Sequence, residues 1–280
     1  MSDVRVEEGW KGISRRRRLG LGLGAAGVCF GVASGAGRLL GGDSSMRARG
    51  LVQEGRAVSP GRLSSRPRGA VGSSPAGLLQ LGLDGKRDGL VYVPDVYSAE
   101  RPSPLLLLLH GAGGGARHTL PLLRGLADDA GLILVVPDSR GQTWDVIEGS
   151  YGPDVSFIDR ALTQTFGRYA VDPSRLAVGG FSDGASYALS LGVTNGDLFT
   201  HVIAFSPGFM APASRQGAPA LYVSHGTQDR VLPIDVCSRR LVPRAKREGY
   251  RVEYREFEGG HTVPAGIARE ALAWFLGGAR

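Results

Sequence analysis

The chain has 280 residues, 42% hydrophobic and 21% charged, which excludes a disordered or fibrous protein and leaves room for one large domain or two small ones. Its formal net charge of +7 is unevenly placed. Residues 1–70 hold 13 Lys and Arg against 5 Asp and Glu, whereas residues 71–280 hold 20 against 21. A nearly neutral body lacks the basic surface that nucleic-acid binding needs, so we expect no nucleic-acid partner.

The first 40 residues follow the pattern of an export signal. Four arginines, Arg15–Arg18, precede an apolar, glycine-rich stretch from Leu19 to about Gly37. This order predicts an exported protein, periplasmic or secreted, and the adjacent arginines suit a twin-arginine signal. An uncleaved membrane anchor or an unstructured tail is the alternative. No later run approaches the length of about 20 apolar residues that a membrane span needs, so we expect no stable membrane insertion of the mature domain.

Residues 41–75 are rich in Gly, Ser, Arg and Pro, which predicts a flexible linker before a single domain over residues 76–280. Cys29 lies in the predicted signal and Cys237 in a later helix-like segment, so we expect no internal disulfide. We expect neither a metal ion nor another cofactor.

In the domain, short β-type runs alternate with longer amphipathic runs, which predicts a mostly parallel central sheet flanked by helices. The predicted strands are residues 78–83 and 90–93, as an antiparallel pair, then 105–109, 132–136, 175–180, 201–205, 220–223 and 251–257. The predicted helices are residues 119–130, 155–169, 185–191, 234–249 and 265–275. Five leucines, Leu105–Leu109, indicate a fully buried central strand. The segment between the predicted strands that end near residue 206 and begin near residue 220 has little room for an inserted cap domain, so we expect none.

One pentapeptide, Gly180-Phe181-Ser182-Asp183-Gly184, lies between a strand-like run and a helix-like run. A nucleophile elbow has this context, because its sharp strand-to-helix turn strains the serine backbone and requires small flanking residues. Ser182 is therefore a candidate nucleophile. The same pattern arises by chance in a chain with 44 glycines, so the evidence must come from its partners.

A serine nucleophile needs a general base, and the base needs an orienting acid. After an elbow the acid comes first along the chain and the histidine second, each in a loop that follows a strand. Asp229 lies in a turn-rich loop after residues 220–223, whereas its rival Asp235 falls at a predicted helix start. His261 lies in a glycine-flanked loop before the last helix. We predict a catalytic triad of Ser182, Asp229 and His261.

A glycine-rich loop, His110–Gly115, follows the leucine strand, where backbone N–H donors for a developing oxyanion are expected. We predict that Ala112 and Asp183 supply those two N–H groups, with Gly113 next in line as a donor and as a substrate contact. His110 is expected to order the loop. A phosphate-binding loop is the alternative, but no Lys-Ser pair follows and no G-x-G-x-x-G is completed.

A long connection, residues 139–154, follows the carboxyl end of a strand, where ligands gather in open α/β sheets. We predict that its Trp144 lines the substrate pocket, and Tyr151, Phe209 and Met210 are further candidates. The alternative for each side chain is that it covers the edge of the core.

Four blocks, Leu109–Gly113, Gly180–Gly184, His225–Asp229 and Gly260-His261, resemble those of the small α/β-hydrolases of the phospholipase/carboxylesterase and polyhydroxybutyrate-depolymerase-like esterase group. The resemblance covers most of residues 90–280. It implies an α/β-hydrolase fold without a cap domain, and hydrolysis of short-chain or polyester-type carboxylic esters through a covalent Ser182 ester. Dienelactone hydrolases have a similar layout but a cysteine at the elbow, so Ser182 counts against that branch.

The resemblance leaves alternatives open for the activity. A thioesterase or a lysophospholipase would use the same residues. A non-catalytic binding protein of this fold would be expected to have lost a triad member or the oxyanion loop, and here all are present. The expected partner is therefore a small-molecule or polymeric ester.

Overall fold

The computed structural model describes residues 60–69 and 74–277 of the chain. The predicted export signal, residues 1–40, and most of the predicted linker, residues 41–75, lie outside the described residues. Within the described ranges, no helix has the length and apolar character needed to cross a membrane.

Eight strands form one sheet in the described part of the chain. They are β1 (Gly77–Gln80), β2 (Gly89–Val93), β3 (Ser103–Leu109), β4 (Ile133–Pro137), β5 (Val171–Phe181), β6 (His201–Phe205), β7 (Ala220–Gly226) and β8 (Val252–Phe257). Their order across the sheet is β1-β2-β4-β3-β5-β6-β7-β8. The two pairings of β2 are antiparallel and every other pairing is parallel. The predicted α/β fold with a mostly parallel sheet is confirmed.

Helices cover both faces of this sheet. They are α1 (Ala116–Thr119), α2 (Arg124–Ala130), α3 (Asp145–Glu148), α4 (Pro153–Arg168), α5 (Asp183–Thr194), α6 (Ser238–Arg247) and α7 (Ala265–Leu276). Side chains of β3 alternate between two cores: Leu105 and Leu107 pack with α4 and α5, and Leu106 and Leu108 pack with α2 and α7. All seven residues of β3 are buried, as predicted for a central strand covered on both faces.

Three helical segments differ from the prediction. Residues 119–130 form α1, a 3-10 turn and α2 rather than one helix, because Pro121 has no N–H to donate within a continuous helix. The helix predicted from residue 234 begins at Ser238, and the residues before it form turns. The short helix α3 lies inside the connection over residues 139–154, for which no helix was predicted.

Residues 60–69 pack against the domain, although the sequence placed them in a flexible linker. Leu63 is buried, and its N–H donates to Oδ1 of Asn195 over 2.8 Å. Nδ2 of Asn195 donates to the Gly61 carbonyl over 2.8 Å, and the N–H groups of Ser64 and Ser65 donate to Asp159. Because a buried asparagine and a helix carboxylate satisfy its backbone, this part of the linker belongs to the packed domain.

The turn from β5 to α5 is pressed against the end of β3. A Cβ at Gly184 would lie 2.5 Å from the carbonyl oxygen of His110 and would also overlap that of Leu109. A Cβ at Gly180 would lie 2.5 Å from the carbonyl of Gly184. Since these neighbours are backbone atoms that cannot move aside, both positions require glycine.

We expect Asn195→Ala to lower the free energy of unfolding by about 2–4 kcal/mol, because it leaves buried N–H and C=O groups of residues 61–63 unpaired. Asp197→Ala is the matched control: it removes surface ion pairs with Arg62 and Arg66, which are worth at most about 1 kcal/mol. Urea unfolding of the two variants measures the difference. Equal losses would contradict the anchoring role of Asn195.

We expect Gly184→Ala to lower the free energy of unfolding by about 3 kcal/mol or more, since the added methyl group overlaps two backbone carbonyls. Gly167→Ala is the control, because nothing lies within 4 Å of a Cβ at that helical position. There the substitution should stabilise the protein by about 0.5–1 kcal/mol. Unfolding curves in which both variants match the wild type would refute the close approach at Gly184.

Candidate active site

Ser182 lies in the turn between β5 and α5 with a left-handed backbone, φ 57° and ψ −121°. A serine in this region costs on the order of 1–3 kcal/mol, which the tight packing of the turn must offset. The Ser182 N–H donates to the carbonyl of Phe205 on β6 over 2.9 Å, which fixes the strained residue to the next strand. The result is a serine hydroxyl held at the carboxyl end of the sheet.

The structure brings Ser182, His261 and Asp229 into one hydrogen-bonded chain. Oγ of Ser182 lies 2.8 Å from Nε2 of His261, and Nδ1 of His261 lies 2.6 Å from Oδ2 of Asp229. Because a carboxylate oxygen can only accept, Nδ1 carries the proton and Nε2 is free to accept the serine proton. The Asp229 side chain is fully buried and that of His261 is 14% exposed, so the base reaches solvent and its partner does not.

Two loops hold the acid and the base together. The N–H of Gln228, in the loop of Asp229, donates to the carbonyl of Gly259, in the loop of His261, over 2.9 Å. Oδ1 of Asp229 accepts the N–H groups of Val231 and Leu232 over 2.8 and 2.9 Å. Both oxygens of the Asp229 carboxylate are therefore held by hydrogen bonds.

The rival carboxylate, Asp235, lies elsewhere. Its side chain is 76% exposed and accepts from Arg239 one helical turn further along, over 2.8 Å. The alternative that Asp235 is the acid is therefore wrong for this arrangement.

The glycine-rich loop lies beside Ser182, where a Cβ at Gly111 would be 3.3 Å from the serine Cβ. Among the described residues, the N–H groups of Ala112 and Asp183 donate to no acceptor, so both remain available. The N–H of Gly113 instead donates to the carbonyl of Gln142 over 2.7 Å. The prediction that Gly113 stands next in line as a donor is therefore wrong, while its role as a substrate contact stays a prediction.

His110 orders this loop from inside the core. Its Nε2 accepts the N–H of Ser139 over 2.9 Å, and its Nδ1 therefore carries the proton that it donates to the Gly111 carbonyl over 2.7 Å. Burial lowers the pKa of the His110 imidazole, which favours this neutral form. Both ring nitrogens are committed to the backbone, so His110 has no free nitrogen for proton transfer.

The prediction that Trp144 lines the pocket is wrong, because its side chain is completely buried. The indole stacks on Tyr187 with ring centroids 5.2 Å apart, and its Nε1–H donates to the carbonyl of His110 over 2.8 Å. A buried indole N–H needs an acceptor, and this one is the carbonyl that leads into the glycine-rich loop. Trp144 thus supports the loop from behind rather than meeting a ligand.

A pair of carboxylates fixes the segment that carries Trp144. Asp154 accepts the N–H groups of Arg140 and Asp145 over 2.5 and 2.7 Å, while Asp145 accepts those of Gly152 and Asp154 over 2.8 and 3.0 Å. Each carboxylate therefore binds the start of the helix that holds the other. Burial raises the pKa of Asp154 to about 6.

Of the other pocket candidates, Phe209 is 37% exposed, whereas Met210 is buried and Tyr151 donates to the carbonyl of Ala211. Two hydroxyls of α5 hold the segment on either side of Phe209: Oγ of Ser186 accepts the N–H of Gly208, and Oγ of Ser190 that of Ala211, both over 2.9 Å. The exposed aromatic ring is thus carried by an anchored segment.

Two neighbours of the site had no role assigned from the sequence. Oγ1 of Thr143 donates to Oδ2 of Asp183 over 2.6 Å, and His225 lies beside Asp229 with its Nε2 3.3 Å from Oδ2. A histidine four residues before the acid was the available signal for the second contact. The exposed Val231, two residues after the acid, adds an apolar side chain at the same end of the sheet.

Together these groups provide a nucleophile, a base with a free nitrogen, a buried acid and two unpaired N–H donors. This set can transfer an acyl group through the serine. Among the described residues, no group of three or more His, Cys, Asp or Glu side chains is placed to hold a metal ion.

The chain is similar to known esterases in sequence. A family model described as putative esterase matches residues 82–219. A probable feruloyl esterase C of Aspergillus oryzae is 31% identical over 157 residues, which cover 53% of this chain and 57% of that protein. A putative esterase of Nocardia uniformis, NocK, is 30% identical over 145 residues, which cover 47% of this chain and 42% of that protein. The chain thus spans little more than half the length of the Aspergillus relative.

Solved structures show the same fold. The structure of esterase PE8 superposes with a TM-score of 0.56 at 23% identity and covers 68% of this chain and 98% of that one. An S-formylglutathione hydrolase of Staphylococcus aureus, FrmB, superposes with a TM-score of 0.57 at 15% identity and covers 74% and 99%. The chain therefore has the fold of the α/β-hydrolases, and over about half of its length its sequence is similar to esterases.

Proposed function

We propose that this protein hydrolyses carboxylic esters through a covalent acyl-enzyme on Ser182. The carrying observation is the continuous hydrogen-bonded chain from the strained Ser182 through His261 to the buried Asp229. A non-catalytic protein of this fold would have no need for a serine in a strained conformation opposite a histidine with a free nitrogen.

The proposed reaction begins with a proton on Nδ1 of His261 and with its Nε2 unprotonated. Nε2 of His261 takes the Ser182 proton as Oγ attacks the carbonyl carbon, and the N–H groups of Ala112 and Asp183 receive the oxyanion. His261 then protonates the leaving alcohol, and the C–O bond of the ester breaks. Water repeats the sequence on the acyl-enzyme and releases the acid. Asp229 holds the imidazole and stabilises its charged form.

The proposed substrates are small-molecule esters of short-chain or aromatic carboxylic acids, or polymeric esters (polyesters). Phe209 and Val231 are exposed apolar side chains in the loops that follow β6 and β7, at the same end of the sheet as Ser182, and the Aspergillus relatives are described as feruloyl esterases. Thioesters and lysophospholipids would use the same machinery and are the alternative substrates. From the N-terminal sequence, we propose that the protein acts after export.

We expect Ser182→Ala and Asp229→Asn to lower kcat for p-nitrophenyl butyrate by at least about 1,000-fold and 100-fold, because each removes a group of the proton-transfer chain. Asp235→Asn is the matched control and should keep wild-type turnover, since that carboxylate is exposed and apart from the site. Initial rates with p-nitrophenyl acyl esters of rising length, methyl ferulate, a polyester film, an acyl thioester and a lysophospholipid define the substrate. Turnover that survives Ser182→Ala would refute the assignment.

We expect Trp144→Phe to lower kcat about fivefold with little change in KM, because losing a hydrogen bond of about 1 kcal/mol loosens the loop that carries Ala112. Trp274→Phe is the control: Trp274 packs on His201 and Tyr222, in the core on the other face of the sheet. Steady-state kinetics on both variants separates the two positions. An unchanged kcat for Trp144→Phe would show that the indole N–H does not support the loop.

A further inference from the structure

His225, the next-to-last residue of β7, is a second histidine beside the acid and has no part in the proton transfers above. Its side chain is fully buried. Nε2 lies 2.8 Å from the carbonyl oxygen of Leu232 and 3.3 Å from Oδ2 of Asp229. Neither oxygen carries a hydrogen, so Nε2 must be the protonated nitrogen; its N–H donates to the Leu232 carbonyl, and Oδ2 of Asp229 lies close to the same nitrogen.

The other ring nitrogen connects His225 to a helix. Nδ1 lies 2.7 Å from Oγ of Ser238, the first residue of α6, which is also completely buried. Burial lowers the pKa of His225 and favours the neutral imidazole, so Nδ1 accepts the hydroxyl proton of Ser238. The ring is therefore fixed at both nitrogens.

Leu232 links His225 to both oxygens of the acid. Its N–H donates to Oδ1 of Asp229 over 2.9 Å, and its carbonyl accepts from His225. The turn over residues 229–232 is thus closed by the imidazole on one side and by the carboxylate on the other. Oδ2 accepts from Nδ1 of His261 over 2.6 Å, and Nε2 of His225 lies 3.3 Å away from the same oxygen.

We propose that His225 is a positioning residue that holds the Asp229 carboxylate with Oδ2 directed at Nδ1 of His261. This role rests on the proposed ester hydrolysis. His225 contacts neither the serine nor a substrate position, so it acts through the acid. Without its N–H, the Leu232 carbonyl would be buried without a donor, and the turn that holds Asp229 would relax away from His261.

The test compares His225→Leu with His225→Gln, because the glutamine amide can place an N–H donor near the position of Nε2. We expect His225→Leu to lower kcat for p-nitrophenyl butyrate about tenfold with KM within about twofold, the size of one buried hydrogen bond. His225→Gln should recover at least half of the wild-type kcat. His201→Gln is the control and should leave kcat unchanged, because His201 is a buried histidine at the amino-terminal end of β6, away from the site.

A second measurement does not depend on turnover. A hydrogen bond as short as that of His261 to Asp229 gives a strongly downfield Nδ1 proton signal in NMR spectra, which should be present in the wild type and His225→Gln and lost in His225→Leu. If His225→Leu does not fold, Ser238→Ala takes its place, because it removes the hydroxyl group that holds Nδ1 of His225. We expect Ser238→Ala to weaken the proton signal and to lower kcat.

The outcomes separate the two proposals. A wild type that hydrolyses none of the esters refutes the proposed function, and the proton signal still decides the role of His225. The positioning role is overturned if the signal and kcat of His225→Leu equal those of the wild type. It is also overturned if His225→Gln loses as much kcat as His225→Leu, since that pattern marks a need for the ring rather than for its N–H.

Discussion

The arrangement of this site depends on the close approach of the β5–α5 turn to the end of β3. Gly180 and Gly184 allow the turn to lie against the carbonyls of Leu109 and His110, where no side chain fits. This contact forces the backbone of Ser182 into its left-handed conformation and sets it beside Gly111. The proposed nucleophile and the predicted oxyanion loop are thus brought together by a single packing constraint.

Around that contact, buried polar groups support one another. The carbonyl of His110 accepts from Trp144, the ring of His110 holds Gly111, and paired carboxylates fix the segment that bears Trp144. On the other side, the turn of Asp229 is closed by His225. Such a network stabilises one geometry because any member that moves leaves a partner buried and unpaired. The geometry around Ser182, His261 and Asp229 is thus held largely by buried side chains behind them.

Much of this could be predicted from the sequence. The leucine run of β3 and the turn around Ser182 have recognisable sequence patterns, and Asp229 and His261 follow Ser182 in the expected order. In the structure, β3 is a buried strand and hydrogen bonds link the three side chains. Side-chain direction could not be predicted in the same way. Trp144 was placed in the pocket because its loop was expected to face a ligand, yet the indole turns inward to a carbonyl. Packing of residues 60–69 depends on Asn195, more than 120 positions away along the chain.

The proposed covalent acyl-enzyme on Ser182 can be detected directly. The protein is mixed with excess p-nitrophenyl acetate, quenched in acid within the first turnovers, digested and examined by mass spectrometry. We expect one acetyl group on the peptide that contains Ser182, formed with a burst of one equivalent of p-nitrophenol and lost on further incubation. Ester turnover without this adduct, or an acetyl group on a different catalytic residue, would contradict it.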